Sequence, residues 1–170
     1  MADIASHLAD IEAIKQLKAR YFRFYDTKQW ERWRSLFTDD CRFDGTSRVY
    51  TSPDEFVAGT RERLGDATTI HQGHMPEIAI TGADSARGIW AMFDLVEFNE
   101  VVDHGHGVSR GFTGFGHYEE EYHRENGVWK ISFLRLTRLY VKLIDTPPLR
   151  DFDDDSVSSR GRDWLGSSSS

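Results

Sequence analysis

Tyr118-Glu119-Glu120-Glu121-Tyr122-His123-Arg124-Glu125-Asn126-Gly127-Val128-Trp129-Lys130-Ile131-Ser132-Phe133 is the stretch whose reading decides the fold. Asn-Gly suits a two-residue hairpin turn because both central residues can take positive φ. Phe112 to Arg124 and Val128 to Tyr140 therefore read as the two arms of one long hairpin. Side chains alternate between faces along a strand. His117, Glu119, Glu121 and His123 share one face of the first arm, and Tyr118, Glu120 and Tyr122 share the other. The histidine-glutamate row reads as a solvated or subunit-facing surface, yet one of the two rows must carry buried charge. Gly114 and Gly116 mark a bend or bulge in the same arm.

Upstream of the hairpin the chain is also strand-rich. Thr69 to Gly73 is one expected strand, Glu77 to Thr81 a second, and Ala86 to Phe98 a long third after the turn Gly82-Ala83-Asp84. The N-terminal third is helical. Ile4, Leu8, Ile11, Ile14, Leu17, Tyr21, Phe22 and Tyr25 recur at helical spacing. Asp26-Thr27-Lys28 interrupts them. Gln29 to Phe37 reads as a second helix with Trp30, Trp33, Leu36 and Phe37 on its apolar side. Cys41 to Asp44 and Arg48 to Tyr50 read as a short hairpin around Gly45. Ser52-Pro53-Asp54-Glu55 starts a third helix, with a serine cap, a first-turn proline and a capping-box glutamate; it should end near Gly65. Helices first and an antiparallel sheet afterwards make an α+β domain over residues 1–145. A strongly bent sheet closed by helices gives a cone whose interior is a natural ligand site. Residues 146–170 read as an acidic, then Ser- and Gly-rich tail.

The 170 residues include 11 Phe, 6 Tyr and 5 Trp, enough for a large core or an apolar pocket. A net charge of -7 argues against a nucleic-acid partner, which needs a basic face, and against attraction to anionic membranes. No run approaches transmembrane length and Met1-Ala2-Asp3 opens no secretory leader, so a cytoplasmic location is expected. The single cysteine, Cys41, reads as a small buried apolar residue.

Two residues carry most of the chemical information. Asp26 ends the first helix beside Tyr25, and His71 begins a strand. Each has a bland reading, as a turn-capping aspartate and a core histidine bonded to backbone. Together, a carboxylate that orients an imidazole makes a general base at neutral pH. His74 ranks as a second polar group. Asp94 shares a strand face with Trp90, Met92, Val96 and Phe98, where a carboxylate is costly unless paired or protonated. It is either bonded to Arg135 or Arg138 or is a pocket acid with a raised pKa. His104, His106, His117 and His123 show no spacing suited to a metal, and no metal or other cofactor is expected. The Gly-rich stretches open no helix and so make poor phosphate loops.

Tyr25 through Arg32, Pro53 through Val57, His71, and Tyr122 through Ile131 resemble the SnoaL-like, nuclear-transport-factor-2-like superfamily, and within it the scytalone dehydratase branch, over about residues 5 to 142. The resemblance implies a cystatin-like α+β barrel with the site inside it. It implies an Asp-His dyad in Asp26 and His71, a carbonyl-polarising tyrosine in Tyr25, and in Asp94 the acidic residue of bile-acid dehydratase relatives, which are commonly trimers. A homo-oligomer follows as an expectation, trimer before dimer. This chain departs from the scytalone enzymes at Gly45, where they carry a tyrosine. It departs again near Asp94 to Val96, where they carry a histidine, and at Gly116 and Tyr118, so scytalone itself is not the expected substrate.

The expected activity is a cofactor-independent, dehydratase-like lyase. His71 removes a proton from a small apolar cyclic substrate, Asp26 holds the imidazole, Tyr25 binds the developing enolate and Asp94 protonates the leaving hydroxyl. Trp30, Phe43, Trp90, Met92 and Phe98 would wall the pocket. Two rivals stand beside it: an isomerase or hydrolase in the same cavity, and a non-catalytic small-ligand binding protein.

Overall fold

The first helix, α1 (Ile4–Asp26), buries Ile14, Leu17, Tyr21, Phe24 and Tyr25, the stripe its spacing predicts. The computed structural model describes residues 4–46, 48–103 and 107–145; the tail expected after residue 145 and the histidines at 104 and 106 lie outside them. Beyond α1 come α2 (Trp30–Arg34), β1 (Phe37–Asp44), α3 (Pro53–Leu64), β2 (Thr68–Gly82), β3 (Ser85–Asp103), β4 (Val108–Glu125) and β5 (Val128–Ile144). The strands form one sheet in the order β1-β5-β4-β3-β2. Among the described residues no helix is long and apolar enough to cross a membrane.

The hairpin forms as its turn chemistry requires. Asn126 and Gly127 both take positive φ, at 51° and 81°, and β4 pairs with β5 from Glu125–Val128 outward. The face question is settled by burial. Tyr118, Glu120 and Tyr122 are the inward row, each less than 5% exposed. The buried glutamate is paired. Lys18 of α1, fully buried, donates to Glu120 Oε1. The Tyr122 hydroxyl donates to Glu120 Oε2, and Trp90 Nε1 donates to the Tyr122 hydroxyl at 2.8 Å. The Lys18 ammonium also lies 3.7 Å from the Tyr118 ring centre and 4.0 Å from that of Tyr21.

The segment between α1 and α3 departs from expectation. The second helix stops at Arg34, and Phe37 already belongs to β1, paired in parallel with Ile131 of β5. Helical spacing over Trp30, Trp33, Leu36 and Phe37 is overridden because Phe37 and Ile131 bury each other completely. The sheet is therefore mixed, with one parallel edge. Arg48 to Tyr50 form no strand; Tyr50 instead packs its ring 5.2 Å from that of Phe56. Gly45, at φ 66°, approaches the Leu136 carbonyl so closely that any side chain would strike it. The two strands expected over 69–81 are one bent strand, with a register shift between His74 and Glu77 and Met75 at φ 42°. The start of α3 is as read: Ser52 Oγ accepts from the Glu55 amide, while Glu55 reaches back to Thr51.

Candidate active site

The end of α1 meets the free edge of the sheet. β2 is an edge strand, so amides directed away from β3 need partners from elsewhere. Asp26 supplies one. Its Oδ2 accepts from the His71 amide at 2.7 Å, and its Oδ1 lies 2.7 Å from His71 Nδ1. One carboxylate thus holds both the backbone and the ring of the same residue. Lys28, at φ 60° just past the helix, adds a second clamp by donating to Thr69 Oγ1 at 2.9 Å. A carboxylate on the last turn of a helix opposes the macrodipole; Asp26 is placed against local preference, as site residues often are. With Nδ1 engaged, Nε2 is the His71 nitrogen without a partner among the described residues.

His71 pairs with Asp94 across β2 and β3, so both side chains point to the sheet's inner face. Asp94 is 2% exposed and accepts from Arg138 Nη1 at 2.6 Å and Nη2 at 2.7 Å. Of the two readings open for Asp94, the paired one with Arg138 is what the structure holds. The guanidinium reaches it across β4 because the residue between them is Gly114, where a Cβ would collide with both partners. Burial pulls the Arg138 pKa down, and the bonds to Asp94 more than restore it. A carboxylate engaged on both oxygens is a poor proton donor, so the leaving-group acid expected of Asp94 has no geometric support.

These groups face a cavity of about 750 Å³, lined by His71, Asp94, Arg138, Tyr21, Tyr25, Tyr118, Phe98 and Phe112 among others. Its size suits a molecule of two or three rings. The Tyr25 ring centre lies 4.3 Å from that of His71. Burial pushes the Tyr25 phenol well above its ordinary range, the nearby Arg63 charge opposing this and the carboxylates of Asp26 and Asp94 adding to it. Tyr118 is raised in the same direction, chiefly by burial. Both phenols are neutral donors at physiological pH.

Of the expected pocket walls, Phe98 lines the cavity and the others do not. Trp30 packs edge-on to Tyr25 and Trp33. Phe43 stacks on Phe56 at 4.0 Å. Trp90 is spent on Tyr122, and Met92 lies beneath Arg138. His74 is exposed, on the far side of the strand from His71. Missed as lining residues were Arg138, Tyr118 and Arg63. Arg138 continues the inward row of Leu134 and Leu136, so period two could have found it; Arg63, at the end of α3, left no such signal. Among the described residues no three His, Cys, Asp or Glu side chains converge on a common point that could hold a metal ion.

Known proteins share this architecture. The structure superposes on a Novosphingobium aromaticivorans protein provisionally named scytalone dehydratase with a TM-score of 0.73 at 16% identity, covering 85% of this chain and 94% of that one. It superposes on the hexachlorocyclohexane dehydrochlorinase LinA-type3 of Novosphingobium barchaimii with a TM-score of 0.68 at 24% identity, covering 86% and 99%. In sequence it is 29% identical over 143 residues to a Gibberella zeae protein provisionally named a cyclase, covering 77% of this chain and 92% of that protein. The profile of the SnoaL-like domain matches residues 6–135, and the chain belongs to that family.

Proposed function

We propose that this chain is a cofactor-independent lyase that eliminates water from a small, largely apolar cyclic substrate. The observation that carries the reading is the grip of Asp26 on His71, at the wall of a cavity large enough for such a molecule. In this reading Asp26 fixes the proton on Nδ1, and Nε2 takes the proton alpha to a carbonyl. Tyr25, and Arg138 held flat by Asp94, donate to the oxygen on which negative charge develops. The C–H and C–O bonds break, a C=C bond forms, and the imidazolium returns its proton to the departing hydroxide. The names of the structural neighbours, a scytalone dehydratase and a dehydrochlorinase, describe eliminations and support the class.

The cyclase name of the fungal relative favours a second reading, in which the same base moves a proton without loss of water. Incubation with cyclic hydroxy-ketones and aromatic polyketides, followed by mass spectrometry, separates them. Loss of one water marks the lyase, and an unchanged mass with altered chromatography marks a cyclase or isomerase. Conversion by His71→Ala at the wild-type rate sinks both.

A further inference from the structure

One donor on the cavity wall has no task in the elimination as described. Tyr118 lines the cavity with Tyr21, Tyr25 and Arg138 and is 4% exposed. It is the first side chain on the inner row of β4 after two glycines: Gly114, which pairs with Asp94, and Gly116, which pairs with Arg138. No side chain on that row therefore stands between the phenol and the guanidinium. The charges agree with this placement. After burial, Asp94 acts most strongly on the Tyr118 phenol, and Tyr118 and Tyr25 both act on Arg138.

The Tyr118 hydroxyl also has a direction. The rings of Tyr21 and Tyr118 meet edge-on, with centres 5.9 Å apart. The interaction between their hydroxyls raises the Tyr21 pKa, the sign of a phenol that donates. Tyr118 accepts there and keeps its own proton to give. Among the described residues no acceptor takes that proton, and the enclosed side-chain polar atoms left without a partner are Trp33 Nε1 and Thr38 Oγ1. The Tyr118 hydroxyl opens instead on the cavity that its residue lines.

We propose that Tyr118 is a catalytic residue, a third donor beside Tyr25 and Arg138 to the oxygen that gains negative charge, and that Tyr21 is the positioning residue that turns its proton toward that oxygen. The assignment rests on the reading of this cavity as the place of proton abstraction. No bond to Tyr118 forms or breaks. Its hydrogen bond strengthens as charge builds on the substrate oxygen and weakens as that charge leaves. Such a donor acts on kcat more than on KM.

The first test needs no turnover. 4-Nitrophenol is a flat ring whose coloured anion carries its charge on one oxygen. The ionisation midpoint of the bound probe is read by absorbance in wild type, Tyr118→Phe, Tyr21→Phe and the double variant. Each is repeated with His71→Ala, which removes the base as a contributor, and circular dichroism confirms folding. The wild-type site is expected to favour the anion about 100-fold relative to free probe, Tyr118→Phe to cut that preference about ten-fold and Tyr21→Phe about three-fold. Once Tyr118→Phe is present, Tyr21→Phe is expected to add nothing, the coupling that a positioning role requires. Tyr118→3-fluorotyrosine, a more acidic phenol, is expected to strengthen the preference, and it keeps the test decisive where the phenylalanine variant does not fold. A probe that does not bind, a preference untouched at position 118, or additive effects of the two substitutions overturns the proposal. On any substrate the wild type converts, Tyr118→Phe is expected to lower kcat about ten-fold or more with KM nearly unchanged; an unchanged kcat also overturns it. An anion preference that depends on Tyr118, with no substrate converted, overturns the lyase reading and leaves the donor site standing.

Discussion

Two polar networks lie on the inner face of one sheet, and they are built to opposite rules. Lys18, Glu120, Tyr122 and Trp90 form a closed set, in which Lys18 and Glu120 pair with each other and none of the four side chains lines the 750 Å³ cavity. His71, Tyr25 and Arg138 form an open set that lines the cavity. Burial of ionisable groups is common to both. What separates scaffold from site is unspent hydrogen-bonding capacity aimed at empty space.

That contrast can be broken in order of effect. His71→Ala and Asp26→Asn should each lower kcat/KM by about 10³-fold or more while moving the melting temperature little. Steady-state kinetics alongside thermal melts checks both halves. Lys18→Ala should do the reverse, costing about 3–5 kcal/mol of stability because it strands a buried carboxylate. A double variant, Lys18→Met with Glu120→Gln, should recover much of that loss in urea titrations. If Lys18→Ala leaves stability intact, the closed network is not the scaffold described.

Gly114→Ala sits between the extremes. Its methyl group collides with Arg138 and Asp94, so the pair must shift. A cost of about 1–3 kcal/mol is expected, together with a fall in activity that Lys18 variants do not share once corrected for folded fraction. The smallest effect concerns the phenols. Burial raises Tyr21, Tyr25, Tyr118 and Tyr122 above their usual range. A folded-state pKa above the unfolded value of about 10 contributes stability that is fully present below pH 10 and lost as pH rises beyond it. Absorbance titration should show these four phenols protonated until alkali unfolds the chain. Ionisation of Tyr25 below about pH 10 in folded protein would contradict its burial.

Much of this was legible in the residues. The Asn126-Gly127 turn, the Ser52-Pro53 helix start and the apolar stripe of α1 are local signals, and each element formed where its signal lay. Asp94 announced itself by standing in an apolar row, and Arg138 carried the same signature two strands away. What stayed hidden was long-range. Phe37 leaves its helical pattern because a strand some ninety residues later claims it. Which row of β4 faces inward could not be read without knowing that Lys18 waits on α1 to neutralise Glu120. The widths of Trp90 and Trp30 suggested pocket walls, yet both rings were already committed to neighbours.

The double hold of Asp26 on His71 has one more consequence. A carboxylate offers two equivalent acceptors, one for the main chain and one for the ring; a carboxamide offers one acceptor and a donor. Asparagine at that position can satisfy the strand or the imidazole, but not both in the same protonation pattern. Keeping the strand bond turns an N–H toward the ring nitrogen, which moves the ring proton to the cavity side. The imidazole would then greet a guest as a donor where it had been an acceptor, an inverted site within an unaltered backbone.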